Sequence, residues 1–323
     1  MANLFLTGHR KSGTSMLSRL FDSHPELSLY PTDVSLLYAY FPVFAASETD
    51  PSKLRQRIAV VLEKSLKHGL SQSDYDENSD AFILRFIDSM LSKLQDESLH
   101  DRRKILQALV SAWRQTSGAA SNTRVVLKET SQSVHFLELK NAIPNLKFLH
   151  LMRDPRDIYA AIKAGISNYY SALGEGEYES LASVLNRFKV DTKAARTYSA
   201  AFPSLFSIIR FEDLVFNPES TMRAVASFGD FSFDECLLTP SDLGTEYKGN
   251  SHDGIAMSGI SPQNVGRWRE RIRDEEAMII EFWLGDEMER HGYQRQFSDA
   301  NAVLAFSNFY DWYNTKYFYS DSF

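Results

Sequence analysis

Apolar positions in this chain fall first into short runs, then into helical stripes, and the two alternate. Leu4, Phe5 and Leu6 run into Thr7 and Gly8, and Met16, Leu17, Leu20 and Phe21 follow at helical spacing. That pattern predicts a strand over 5–7 and a helix over 14–22. A turn at 23–26 leads to a short extended run over 27–30, which Pro31 is expected to stop. Residues 33–120 read as mainly helical and polar on one face. Leu54, Ile58, Val61 and Leu62 mark one stripe, and Phe82, Phe86, Ile87 and Met90 another, with a loop expected over 71–80. Strand signals return over 124–127, 146–152 and 206–211. They alternate with helices expected over 134–142, 155–165, 178–200 and 218–228, and a late helix covers 275–291. Strands alternating with helices predict an α/β fold, a doubly wound parallel sheet flanked by helices. The chain 1–323 then reads as a single domain with a helical insertion over 35–120 and an aromatic C-terminal tail over 297–323.

Two loops of composition stand out. Residues 243–264 are rich in Gly, Ser and Asn and are expected to be mobile. Between 306 and 323 half the residues are aromatic, which favours core packing over a free tail.

Composition narrows the partners. The 323 residues are 43% hydrophobic and 24% charged, an ordinary globular balance. The net charge of −7 argues against nucleic acid or an anionic membrane as the main partner, so an anionic ligand must meet a local basic cluster. The one cysteine, Cys236, permits no intrachain disulfide and is expected to be a small buried apolar residue. No basic and apolar leader precedes the first strand, and no apolar run approaches about 18 residues. The expected location is cytoplasmic, with no membrane span.

The chemistry begins at Gly8-His9-Arg10-Lys11-Ser12-Gly13-Thr14-Ser15. A glycine-bounded loop between strand and helix aims backbone N–H groups and a helix N-terminus at one spot, and so cradles phosphate. In a nucleotide-triphosphatase loop a lysine follows the second glycine. Here Thr14 stands in that place and the lysine lies inside the loop, at Lys11. Alone, the same residues also make a capped tight turn. Arg153-Asp154-Pro155-Arg156-Asp157 follows a buried strand, at the carboxyl edge where parallel sheets bind ligands. Arg153 and Arg156 are both candidates for bidentate phosphate contacts, with Asp154 and Asp157 capping the helix and ordering them. Gly266-Arg267-Trp268-Arg269 and Leu127-Lys128-Glu129-Thr130 are further candidates; a solvated basic helix start and a surface pair are their ordinary readings.

Together these motifs resemble the sulfotransferase family that uses 3′-phosphoadenosine 5′-phosphosulfate (PAPS). Arg10-Lys11-Ser12-Gly13-Thr14-Ser15 is similar to the family's PRSGTT or PKSGTT signature, and Leu151-Met152-Arg153-Asp154-Pro155-Arg156-Asp157 to its VRDPRD signature. Arg210-Phe211-Glu212-Asp213-Leu214 before Asn217-Pro218, and Gly266-Arg267-Trp268, recur there too. The matches span residues 4–270 in order.

The resemblance implies a transferase that moves a sulfuryl group from PAPS to an acceptor hydroxyl of a glycan or small metabolite, without a metal. It implies that Arg10, Ser12, Gly13, Thr14 and Ser15 hold the 5′-phosphate. Lys11 then sits at the oxygen bridging phosphate and sulfate, and Arg153 and Arg267 hold the 3′-phosphate. Where the family has a serine eight residues after this arginine, this chain has Ala161, and Lys163 nearby points elsewhere on the helix. Charge building on the leaving bridge explains a lysine inside the loop. A base must also take the acceptor's proton. Asp33 ranks slightly ahead of Glu129, with His9 or His135 as a third option. A P-loop small-molecule kinase using ATP and a non-catalytic nucleotide-binding protein are the alternatives, and a homo-oligomer is left open.

Overall fold

In the computed structural model, residues 3–70, 77–120, 122–167, 174, 176–247, 249 and 259–319 are described. Five parallel strands form the main sheet: β1 (Leu4–Thr7), β2 (Leu27–Asp33), β3 (Arg124–Lys128), β4 (Lys147–Met152) and β5 (Phe206–Arg210). Their order is β2-β3-β1-β4-β5. All four residues of β1 are buried. A central strand covered on both faces needs an apolar run rather than alternation, as its sequence showed. Phe5 pairs with Leu127 on one side and Phe148 on the other. The strand order reverses about β1, so a crevice opens at its carboxyl end, where ligands enter such sheets.

The sheet departs from expectation at β2. The strand runs through Pro31 to Asp33 instead of stopping. Proline lacks an N–H, but β2 is an edge strand, and its register with β3 shifts between Leu29 and Asp33. The shift sets Asp33 beside Lys128.

Helices fill the connections. α1 (Thr14–Arg19) follows the glycine loop. Between β2 and β3 lie α2 (Leu36–Ala39), α3 (Val43–Ser47), α4 (Pro51–Leu70), α5 (Glu77–Leu91) and α6 (Arg102–Thr116). α5 begins inside the stretch expected as loop; residues 71–76 of that stretch lie outside the described residues. The apolar stripes of this insertion, including Leu54, Ile58, Leu62, Phe86 and Met90, pack in one core with Phe5, Leu127 and Phe148 of the sheet. α7 (Phe136–Leu139) is one turn long, shorter than predicted. Val134 and Leu137 face solvent, so the apolar residues there form no continuous stripe.

α8 (Pro155–Lys163), α9 (Glu177–Ala201), α10 (Phe211–Phe216) and α11 (Pro218–Gly229) follow, and Phe211 opens α10 rather than closing β5. A hairpin of β6 (Ser241–Asp242) and β7 (Thr245–Glu246) opens the expected loop 243–264, of which residues 248 and 250–258 are outside the described residues. α12 (Trp268–Arg271), α13 (Asp274–Arg290) and α14 (Asp299–Asn314) complete the chain. The aromatic tail packs on the body in part: Phe309 is buried and meets Tyr178 and Trp312 in a core shared by α8, α9 and α13, while Tyr310, Tyr317 and Phe318 are exposed. Cys236 is half-buried against the other core rather than fully buried. Among the described residues no helix is long and apolar enough to cross a membrane.

Candidate active site

The loop between β1 and α1 is shaped by close contacts. Gly8 has φ 146°, and a Cβ there would lie 2.3 Å from the Leu151 carbonyl oxygen. Gly13 has φ 99°, and its Cβ would lie 2.6 Å from the Phe211 ring. Both positions need glycine for conformation and for space. Ser12 donates to the His9 carbonyl from its backbone N–H (3.0 Å) and its hydroxyl (2.6 Å), bracing the loop from within. Lys11, between them, holds a left-handed φ of 66°.

A cleft of about 100 Å³, open to solvent, lies against this loop. Lys11, Gly13, Thr14, Ser15, Arg153 and Asn264 form its polar side, and Met16, Phe211 and Tyr247 its apolar side. None of the described residues lining it is acidic. Arg153 crosses it. Its Nη1 donates to the Lys11 carbonyl (2.9 Å) and its Nη2 to the Asn264 carbonyl (2.6 Å), and the guanidinium lies 4.6 Å from the Phe211 ring centroid. Arg153 Nε is buried with no hydrogen-bond partner among the described residues.

The other predicted residues divide. Lys11, Gly13, Thr14, Ser15 and Arg153 come together at the cleft, whereas Ser12 is fully buried behind it and does not line it. Arg10 turns away and donates to Ser183 Oγ on α9 (3.2 Å). Arg267 stands beside the cleft, donating to Asn264 Oδ1 (3.2 Å). Arg156 faces inward, contrary to the sequence reading. It is buried, its Nη1 2.6 Å from Glu281 and its Nη2 2.6 Å from Asp154, and it stacks 4.3 Å from the Trp268 ring. It ties α8 to α13, so its charge is spent on internal partners. Asp154 caps α8 through the Arg156 N–H. Trp268 is buried packing, not an exposed stacking face. Lys163 points away as expected, onto Glu276 of α13 (2.8 Å).

A second cluster sits where β2 and β3 end. Lys128 Nζ lies 2.6 Å from Asp33 Oδ1 and 3.3 Å from Ser15 Oγ, linking Asp33 to the phosphate loop. The Asp33 side chain is 33% exposed. Glu129 is fully buried, accepting from the Ser35 N–H (2.7 Å) and the Thr130 N–H (2.8 Å). Burial, then the charge of Asp33, pushes the Glu129 carboxyl up to about 8. His9 is buried and donates Nδ1–H to the Arg10 carbonyl (2.8 Å). Burial, with the charges of Arg187 and Arg10, pushes it down to about 3, so it stays neutral. His135 stands 3.7 Å from Glu138, and burial also lowers it.

Glu129 makes a testable demand on stability. Its folded value of about 8 lies above the ordinary 4.5. Between those values the unfolded chain has lost the proton and the folded chain keeps it. Stability therefore falls as pH rises from about 4.5 to about 8. Glu129→Gln is expected to flatten that fall in chemical denaturation at pH 5, 7 and 9. Equal slopes for variant and parent would remove Glu129 as the cause.

Sequence reasoning missed Phe211, Tyr247 and Asn264. Asn264 meets Arg153 through its backbone carbonyl, for which no side-chain signal exists, and Phe211 read as the end of a strand.

A family model described as the sulfotransferase family matches residues 3–235. The chain belongs to the sulfotransferase family. Two curated relatives, from Mycobacterium bovis and Mycobacterium tuberculosis, are named omega-hydroxy-beta-dihydromenaquinone-9 sulfotransferase Stf3. Each is 26% identical over 183 residues, covering 53% of this chain and 42% of its own. The match thus spans less than half of those sulfotransferases. Among solved structures, the sulfotransferase domain from the curacin biosynthetic pathway aligns over 91% of this chain and 99% of its own. Its TM-score is 0.57 at 16% identity. The sulfotransferase domain of the Synechococcus PCC 7002 olefin synthase aligns over 96% and 94%, with a TM-score of 0.49 at 16% identity. The curacin-pathway domain shares the fold of this chain; the family match rests on the sequence.

Proposed function

We propose that this chain is a PAPS-dependent sulfotransferase acting on a hydroxyl, of a glycan or a small metabolite. The observation that carries the reading is a cleft, with no acidic residue among its described lining, that brings Lys11, the Gly13 cradle and Arg153 together. A donor with a 5′-phosphosulfate and a 3′-phosphate presents two anionic ends, and these residues offer two cationic ones. The names of the Mycobacterium relatives specify a hydroxyl-bearing compound, which supports a hydroxyl acceptor. The single cysteine suits a reducing compartment, and we place the enzyme in the cytoplasm.

Asp33, partly exposed and next to the loop, takes the proton of the acceptor hydroxyl. Lys11 stabilises the negative charge that grows on the leaving phosphate oxygen. The backbone around Gly13 to Ser15 holds the 5′-phosphate, and Arg153 with Arg267 holds the 3′-phosphate. Glu129, sealed from solvent with both oxygens engaged, secures the turn that follows Asp33. Lys128 orients Asp33 and joins it to Ser15. Thr14, where a kinase loop would carry lysine, speaks against the ATP reading.

Thermal unfolding with adenosine 3′,5′-bisphosphate, the donor without its sulfate, tests this. Ligand at about 1,000 times Kd adds about 4 kcal/mol, a rise of several degrees. The rise is expected without Mg²⁺ and should largely vanish in Arg153→Ala. No rise at millimolar ligand would sink the reading. A preference for ATP with Mg²⁺ would select the kinase, and binding without turnover of any acceptor a non-catalytic protein.

A further inference from the structure

The first turn of α8 grips the segment that carries Arg267, and one of the gripping side chains has no part in the reaction above. Asp157 is buried on α8. Its Oδ2 accepts from the Gly266 N–H (2.7 Å) and its Oδ1 from the Trp268 N–H (2.9 Å). Those are the residues on either side of Arg267. The grip has a second hand. Arg153, four residues earlier, donates to the Asn264 carbonyl, and Arg267 donates to the Asn264 side chain. The segment is built of short turns: Gly266 is left-handed at φ 77°, and α12 is only four residues long, with Trp268 buried at its start.

We infer that Asp157 is a positioning residue for nucleotide binding: it fixes the 264–268 turn so that Arg267 is held at the cleft. This rests on the PAPS reading and extends it to a residue outside the cleft. Only a carboxylate offers two acceptor oxygens to two converging N–H groups. Asparagine keeps the size but turns an NH₂ toward one of them, so one bond is lost and two donors oppose each other. The turn then samples other conformations, and Arg267 with it. Lys11 and Asp33 belong to other elements and stay in place. The defect must therefore appear in binding and spare the transfer step.

Steady-state kinetics with PAPS and titration with adenosine 3′,5′-bisphosphate, on the full chain, test this in a double-mutant cycle. Asp157→Asn is expected to raise the KM for PAPS and the Kd of the bisphosphate about tenfold, with kcat within about threefold. Arg267→Ala is expected to do the same or more. The double variant should be no worse than Arg267→Ala by more than about twofold, because one residue acts through the other. Multiplying effects, or an unchanged KM in Asp157→Asn, would overturn the inference. Should Asp157→Asn fold poorly, Gly266→Ala loosens the same turn from the other side. A Cβ there is strained by its φ and lies 2.9 Å from Arg269 Nη1, and the same rise in KM is expected. A parent protein that binds no bisphosphate overturns the donor reading and this inference with it. A parent that binds beside an Asp157→Asn variant that binds equally well overturns only the positioning role.

Discussion

Replacing Lys11 with alanine is expected to cut kcat by about 10²–10³-fold, the range seen when one preorganised electrostatic group is removed from a charge-developing site. The fold should survive. Alanine keeps the Cβ, so the left-handed backbone at position 11 is no worse than before, and the loop is braced by Ser12 and shaped by the two glycines. Because the charge is needed most when the bridge breaks, the KM for PAPS should change less than kcat. Rapid-quench single-turnover measurement separates the chemical step from product release. A single-turnover rate equal to that of the parent protein would take Lys11 out of the mechanism.

Asparagine at Asp33 is expected to lower kcat by about 10²–10⁴-fold, the contribution of a positioned general base. It removes the proton acceptor and breaks the 2.6 Å pair with Lys128. Asp33 is not among the described residues lining the cleft, so bisphosphate binding should persist. A variant that binds the nucleotide yet turns over slowly fits a base. One that loses nucleotide binding would show that Asp33 works through Lys128 and the phosphate loop. Near-normal turnover would move the role to another residue.

The parts of this site that rest on the local chain could be read from it. The glycine loop, the displaced lysine and the arginine closing β4 depend on residues within a few positions of one another, and the family resemblance added their probable ligands. What resisted reading depends on distant partners. Arg153 and Arg156 look alike in sequence, but Arg156 meets Glu281, which lies 125 residues away and turns it inward. Arg10 is drawn to Ser183 on α9 across a similar gap. Pro31 argued for the end of a strand, yet an edge position tolerates a missing N–H, and the strand carries on to Asp33. Glu129 reads equally as a candidate base and as half of a surface pair with Lys128, but neighbours in extended chain point to opposite sides. One meets Asp33 and Ser15, while the other is sealed inside.

Lys11 occupies a backbone conformation that suits glycine. Glycine there would relieve the main chain by the amount that a non-glycine residue loses in the left-handed region, on the order of 1 kcal/mol. The same change deletes the charge proposed to stabilise the leaving group. Stability and activity therefore pull against each other at a single residue. A laboratory screen that rewards heat resistance alone would drift toward glycine at position 11, enriching proteins that fold better and turn over far more slowly.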